Sequence, residues 1–338
     1  MSGTRVIVCI DWHSEKRIRY PNAKSLRIFL KTDKATIKIT DMNKQKATIK
    51  VLLLLSLLSG ASTSVRGQLN PLDAQYFHNK YLANPAMAGW QGGWSLGGAV
   101  RKQWSMIPGS PVSSALTMDG LLSRRVGLGI GLYAEQSGLF RRGRKMASYA
   151  YHLPLDAHGS KLHFGMSIGV MDERLLNEGL KGNAGDNSLR RFTERDTYVD
   201  SDFGIAFVNE KLQLQAAVPN MKNFFSRDLS TMVDHSLFFA SASYRWRGNS
   251  VAIAPLLAIR GVRGYKDLID VGLELRMIED QLAFSMIHHN SGSTTFGLGV
   301  DHRRRLAITG MYTTAASALR QYANGNFELA FNYRFFPN

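Results

Sequence analysis

Lys161-Leu162-His163-Phe164-Gly165-Met166-Ser167-Ile168-Gly169-Val170 is the stretch that decides the fold class. Successive side chains of an extended strand point to opposite faces. Leu162, Phe164, Met166, Ile168 and Val170 therefore share one face, and Lys161, His163, Gly165, Ser167 and Gly169 share the other. Period two reads as a strand. One face is bulky and apolar, and the other is small, polar or charged.

The same pattern recurs in both directions along the chain. Val126, Leu128, Ile130 and Leu132 alternate with Gly127, Gly129 and Gly131. Leu212, Leu214, Ala216 and Val218 alternate with Lys211, Gln213, Gln215 and Ala217. Leu282, Phe284 and Met286 repeat it, as do Phe327, Leu329, Phe331, Tyr333 and Phe335. Fourteen strands are expected, near 94–104, 112–122, 126–135, 144–154, 161–172, 201–208, 211–219, 235–247, 251–260, 266–276, 281–288, 294–301, 304–313 and 326–336. No other segment after residue 67 is apolar enough to span a membrane as a helix.

Alternation does not say which face turns inward. A soluble barrel hides its apolar face, whereas a membrane barrel turns that face to lipid and lines its lumen with small or polar groups. Three features favour the membrane version. The strand count is even, aromatic residues cluster near strand ends, and an export signal precedes the body. The expected fold is thus all-β: a transmembrane antiparallel β-barrel of about fourteen strands in the bacterial outer membrane, over residues 94–338.

The connections support this. Every second one is short and polar: Ser123-Arg124-Arg125, Asp156 to Ser160, Asn209-Glu210, Arg247-Gly248-Asn249, Ile278-Glu279-Asp280 and His302-Arg303. The others include the long runs 173–200, 220–234 and 314–325, with brief exceptions at 261–265 and 289–293. Short periplasmic turns and long outer loops are the membrane-barrel pattern, with both chain ends in the periplasm. Trp104, Tyr133, Tyr149, Tyr151, Tyr198, Tyr244, Trp246, Tyr265, Tyr312, Tyr333 and Phe335 suit two interfacial girdles.

The amino terminus reads as a leader. Lys44, Lys46 and Lys50 precede the apolar run Val51 to Leu58, and small residues lead to Gly67. That order is a secretory signal peptide over 42–67, cleaved after Gly67. The run is about half of the roughly 20 residues a spanning helix needs. Residues 1–41 read as an extension upstream of a true start at Met42. Residues 68–93 form a periplasmic N-terminal segment.

The formal net charge of +16 suggests a nucleic-acid binder at first sight. Residues 1–67 hold 13 of the 42 Lys and Arg but 4 of the 26 Asp and Glu, so the remainder carries +7. No basic helix or basic–aromatic interleaving remains to support nucleic acid as a partner. Cys9, the single cysteine, lies in the leader region, so disulfide and thiolate–metal chemistry are not expected of the body.

No catalytic, cofactor or metal constellation is expected. The Gly127, Gly129, Gly131 set lies inside a strand and reads as small lumen-facing residues, not a phosphate loop. His288-His289, and His152, His158 and His163, read as residues of solvated turns. Glu173 and Glu178 read as loop carboxylates. The run Arg141-Arg142-Gly143-Arg144-Lys145 reads as a solvated loop or as a contact for anionic lipid headgroups.

One segment is neither low-complexity nor strand-like. Gln75-Tyr76 to Gly89, with Tyr81 and Asn84-Pro85-Ala86-Met87-Ala88-Gly89, precedes the first strand. It is expected at the periplasmic mouth or as a plug in the lumen.

That segment, followed by Arg101-Lys102-Gln103-Trp104, resembles the opening of the PorP/SprF family of type IX secretion membrane proteins. The similarity continues through Val126-Gly127-Leu128-Gly129, Tyr149 to Leu155, Lys161 to Gly165 and Asp202 to Ala206. The resemblance implies an outer-membrane barrel of the type IX secretion and gliding machinery. It implies periplasmic components of that system as partners, and secreted cargo carrying a type-B C-terminal domain. Gln75, Tyr76, Tyr81, Asn84, Pro85, Ala86, Gly89, Arg101, Gln103 and Trp104 are the candidate partner-binding residues. A passive channel or small-molecule transporter is the alternative, because it shares every barrel feature.

Overall fold

The structure is a computed structural model that describes residues 74–175, 197–221, 236–262, 267–315 and 324–335. The expected leader and extension, Tyr265 and Glu178 lie outside the described residues.

The described chain is a single antiparallel sheet closed on itself. Its staves are β1 (Trp94–Lys102), β2 (Val112–Ser123), β3 (Val126–Ser137), β4 (Phe140–Pro154), β5 (Lys161–Leu175), β6 (Tyr198–Val208) and β7 (Leu212–Val218). They continue as β8 (Ser236–Tyr244, resuming at Trp246–Arg247), β9 (Val251–Val262), β10 (Leu268–Met277), β11 (Leu282–His289), β12 (Thr294–His302), β13 (Leu306–Thr313) and β14 (Asn326–Arg334). Each stave pairs with its sequence neighbour, and β1 closes the ring against β14, with Ser95 opposite Arg334 and Lys102 opposite Phe327. A closed ring leaves no unpaired strand edge, which is what a bilayer requires of β-structure. Among the described residues no helix is long and apolar enough to cross a membrane.

The structure settles which face turns inward. Val100, Leu116, Ile130, Met166, Ile168, Leu298 and Leu329 are exposed on the outside. Ser148, Ser167, Asp202, Glu274, Ser285 and Thr309 are buried on the inside. Exposing the bulky apolar face would be unfavourable in water, so lipid is the solvent this wall is built for. The barrel is a transmembrane one.

Both described ends of the barrel chain, Trp94 and Arg334, lie at the end that carries the short turns. Left-handed backbone at Ile278, Glu279 and Asp280, and at Arg303 and Arg304, tightens two of these turns. By the outer-membrane rule that end faces the periplasm.

Several strand boundaries differ from expectation. β5 runs on to Leu175, so Glu173 is a strand residue and not a loop carboxylate, and β6 already begins at Tyr198. β1 ends at Lys102, because Trp104 takes a φ of 45° and starts a turn. β13 starts at Leu306, because the left-handed Arg303 and Arg304 belong to the turn. β8 breaks at Arg245, whose N–H donates to the Lys211 carbonyl at 2.6 Å. β4 begins at Phe140, so the run Arg141 to Lys145 is strand and not loop. Its backbone is paired on both sides, Arg141 lying between Gln136 and Arg174. Arg142 and Arg144 point into the lumen, where Glu173 and Asp202 pair with them.

The girdle expectation also needs correction at two positions. Tyr149, Tyr244, Trp246, Tyr312, Tyr333 and Phe335 are exposed on the outer wall. Tyr133 turns inward and donates to Glu135 at 2.8 Å. Tyr198 shares the inward parity of Asp200 and Asp202 and lines the lumen.

Candidate functional site

The segment before β1 lies inside the barrel. Of the two placements expected for it, the structure shows the plug. Two short 3-10 turns, Gln75–Phe77 and Pro85–Met87, give it a compact path. Pro85 follows Asn84 at the turn's first position, where its fixed φ is favourable and its missing N–H costs nothing. Asn84 caps that turn by accepting from Ala86 N–H at 3.0 Å.

The first half of the plug is held by polar wall residues. Gln75 donates to Glu328. Tyr76 donates to Asp270 at 2.5 Å and stacks on Phe239 with ring centroids 6.0 Å apart. Asn79 donates to Thr117 at 2.8 Å, and Lys80 donates to Gln213. Tyr76 also packs in an apolar cluster with Leu256, Ala258 and Ile287.

The second half is held by shape. A Cβ on Gly165 would overlap the backbone of Pro85 and Ala86, and one on Gly204 would overlap the Asn84 amide. A Cβ on Gly127 would strike the Ala88 carbonyl, and one on Gly129 the Tyr81 ring. The expected small lumen-facing residues are therefore niches that receive the plug. Tyr81 reaches past them to share a hydrogen bond with Ser148 at 2.7 Å, and Ser148 shares another with Ser167 at 2.7 Å. Asn84 donates to the carbonyls of Ile205 at 3.1 Å and Ala216 at 3.4 Å. Gly89 N–H donates to Asp119 at 2.8 Å, and Ser95 donates to the same carboxylate at 2.9 Å.

The candidate residues separate into two groups. Gln75, Tyr76, Tyr81, Asn84, Pro85, Ala86 and Gly89 come together in the plug, with their side chains or backbone against the wall. Arg101, Gln103 and Trp104 sit at the opposite, long-loop end of β1. Arg101 and Gln103 are buried there, Arg101 lying across from Glu328 in register. Gln103 N–H donates to the Pro111 carbonyl at 2.9 Å and fixes the start of the β1–β2 loop.

Two histidine readings are corrected. His289 is not a turn residue in water. It is buried and bonds Asp270 through Nδ1 at 2.7 Å and Thr295 through Nε2 at 2.8 Å. His152 and His163 face each other across β4 and β5, buried, with Nδ1 atoms 2.5 Å apart; one ring donates and the other accepts. The order Asp270, His289, Thr295 resembles a carboxylate–imidazole–hydroxyl relay, but its members are spent elsewhere. Asp270 also accepts from Arg260 at 2.9 Å and from Tyr76, and Thr295 shares a hydrogen bond with Thr313 at 2.7 Å. It anchors the plug. Sequence reasoning missed this network because its partners are far apart in the chain.

The plug divides the lumen into two chambers. The loop-side chamber has a cavity volume of about 150 Å³ and is lined by Glu135, Arg142, Arg144, Tyr198, Asp202 and Arg260. The periplasmic chamber has a cavity volume of about 460 Å³ and is lined by Lys80, Trp90, Arg245, Arg276, Arg304 and Arg334, among others. Burial, reinforced by the nearby Arg245, pushes the Lys80 amine down to about 7. Its ammonium lies 4.5 Å from the centre of the Trp90 ring. Burial also lowers His78. Among the described residues no group of three or more His, Cys, Asp and Glu is placed to hold a metal ion.

Comparison with known proteins adds one family and several folds. A family model described as Type IX secretion system membrane protein PorP/SprF matches residues 65–333. No curated protein matches the chain. Among solved structures, the chain is similar to the toluene transporter TbuX of Ralstonia pickettii, with 11% identity and a TM-score of 0.47 over 81% of this chain and 96% of that one. It is similar to the outer membrane protein Omp33 of Acinetobacter baumannii, with 8% identity and a TM-score of 0.43 over 73% of this chain and 100% of that one. It is also similar to the KdgM porin in complex with oligogalacturonate, with 8% identity and a TM-score of 0.38 over 72% and 99%.

Proposed function

Given that the chain belongs to the PorP/SprF family of type IX secretion system membrane proteins, we propose that it is a non-catalytic component of that machine. In this reading it binds the system's periplasmic components, or cargo with a type-B C-terminal domain, at the periplasmic end of the barrel. Residues 42–67 serve as the export signal, with cleavage after Gly67.

The observation that carries the proposal is the filled lumen. A passive channel needs a continuous aqueous path, and here Gln75 to Gly89 bond to wall residues on several sides of the ring. A plug held by this many buried contacts favours a scaffold or a gated component over an open pore.

Deletion of the gene in a type IX-competent host tests the reading. Secreted cargo is expected to fall, and affinity capture of the native barrel is expected to recover type IX periplasmic proteins. Unchanged secretion with no such recovery would refute it. N-terminal sequencing of the mature protein checks the export signal: Gln68 is the expected first residue.

A further inference from the structure

The periplasmic chamber is charged in a way the rest of the lumen is not. Six cations line it: Lys80, Arg245, Arg247, Arg276, Arg304 and Arg334. Arg247 pairs with Asp280 at 2.8 Å, Arg334 with Asp301 at 2.7 Å, and Arg276 with Glu274 at 2.9 Å. Among the described residues no carboxylate lies within ion-pair distance of Lys80, Arg245 or Arg304. In the loop-side chamber, by contrast, Arg142, Arg144 and Arg260 each face a carboxylate: Glu173, Asp202 and Asp270. The barrel therefore pairs these lumen arginines with carboxylates on one side of the plug, and on the other leaves Arg245, Arg304 and the Lys80 amine with no carboxylate at ion-pair distance among the described residues.

Those charges are not aimed at lipid. Tyr244 and Trp246 are exposed on the outer wall, and Arg245 and Arg247, of opposite parity, line the lumen. Tyr333 and Arg334 divide in the same way. Asp280 and Asp301 also line the chamber, but basic residues outnumber them, and a cleft with an excess of one sign of charge, walled by low-dielectric protein, concentrates the opposite charge. At about 460 Å³ the chamber falls within the roughly 300–1,000 Å³ of ligand-sized pockets. Trp90, Phe77 and Gln75 of the plug contribute to the lining, so an occupant would meet aromatic as well as cationic surface.

We infer that the periplasmic chamber is a docking site for an acidic peptide segment, which enters from the periplasm and contacts the plug through Lys80 and Trp90. The inference rests on the proposed role in secretion and specifies the chemistry of the partner: a run of Asp and Glu with an apolar or aromatic residue among them. A single small anion would satisfy the charge but not fill the volume. A lipid headgroup would have to leave the bilayer and enter the lumen.

The test uses the purified full barrel in detergent and a fluorescein-labelled hexaglutamate peptide, read by anisotropy. Saturable binding is expected, weakened by salt, with no binding of hexalysine. The double variant Arg245→Glu, Arg304→Glu is expected to lower the affinity roughly tenfold. Arg124→Glu with Arg125→Glu, in the β2–β3 turn outside the chamber, should change it less than about threefold. Heat-modifiable migration on gels shows whether each variant is assembled; Lys80→Gln with Arg304→Ala serves if the reversal variant is not. Absent peptide binding, or binding that the chamber variants leave unchanged, would overturn the inference. So would complete competition by equimolar inorganic phosphate, which would mark a generic anion site. These outcomes are separable from failure of the secretion reading, which loss of the gene tests directly: cargo lost on deletion but secreted normally by chamber variants that have lost peptide binding overturns the docking role alone.

Discussion

The two chambers of the lumen are built from the same residue types and behave as different materials. On the loop side, arginine and carboxylate meet in pairs, and the Arg260–Asp270 pair is fully buried with His289 and Tyr76 on the same carboxylate. On the periplasmic side, half of the lining cations have no carboxylate partner among the described residues. The difference separates two uses of charge. A buried, matched pair fixes structure, since removal of one partner strands the other in a low dielectric. An exposed cation without a carboxylate partner, as at Arg304, adds little to stability and remains available to a ligand.

The largest expected effect breaks the matched side. Asp270→Asn removes the carboxylate that Arg260, His289 and Tyr76 share. A loss of about 3–5 kcal/mol in barrel stability is expected from the buried charge left behind. The temperature at which the folded gel band disappears measures it; an unchanged temperature would mean that Asp270 anchors nothing.

Next in size is a break in the divider itself. Gly165→Val places a side chain where the Pro85–Ala86 backbone lies. Overpacking of this kind costs about 1–3 kcal/mol, and the plug can avoid it only by leaving its seat. Protease cleavage within residues 74–93 of the assembled barrel is expected to rise sharply against the native chain.

A smaller effect sharpens the comparison through pH. Burial and Arg245 hold Lys80 down at about 7, below its ordinary 10.5, with Glu274 opposing and Arg276 reinforcing the shift. The seated plug thus binds fewer protons than the released one between these values, so its seating strengthens as pH rises from about 7 toward 10.5 and is weakest, and level, below 7. An acidic peptide favours the charged amine and has the opposite sign. Its affinity should fall about two- to fivefold as pH rises through 7, while the arginines stay charged. Lys80→Met should remove that dependence in a repeat of the anisotropy titration.

The smallest effect is on the unmatched side. Arg304→Ala removes an exposed cation with no carboxylate partner among the described residues, and stability should change by less than about 0.5 kcal/mol. A larger loss on thermal melting would show that the periplasmic chamber is matched after all.

Much of the wall was legible in sequence because period-two alternation is a local property. Leu162 to Val170 states its two faces without reference to anything else in the chain. The alternation of short and long connections gave the end at which the chain enters and leaves. What stayed hidden depends on partners remote in sequence. Arg141 to Lys145 resembles a loop because charge falls on both faces. It is strand because Glu173 and Asp202 receive its inward arginines. His289 resembles a turn residue until Asp270 and Thr295 are placed beside it. Gly127, Gly129 and Gly165 were legible as small lumen positions, but nothing local says that Ala88, Tyr81 and Ala86 occupy the space they leave. The plug itself carries no period, so the choice between the periplasmic mouth and the lumen came from the structure.

The central claim is that this segment closes the barrel, and conductance tests it most directly. The purified native chain, reconstituted in a planar bilayer, is expected to show no large, steady conductance, and the Gly165→Val variant is expected to open. A large and stable single-channel conductance from the native chain would contradict the account and return the barrel to the class of passive pores.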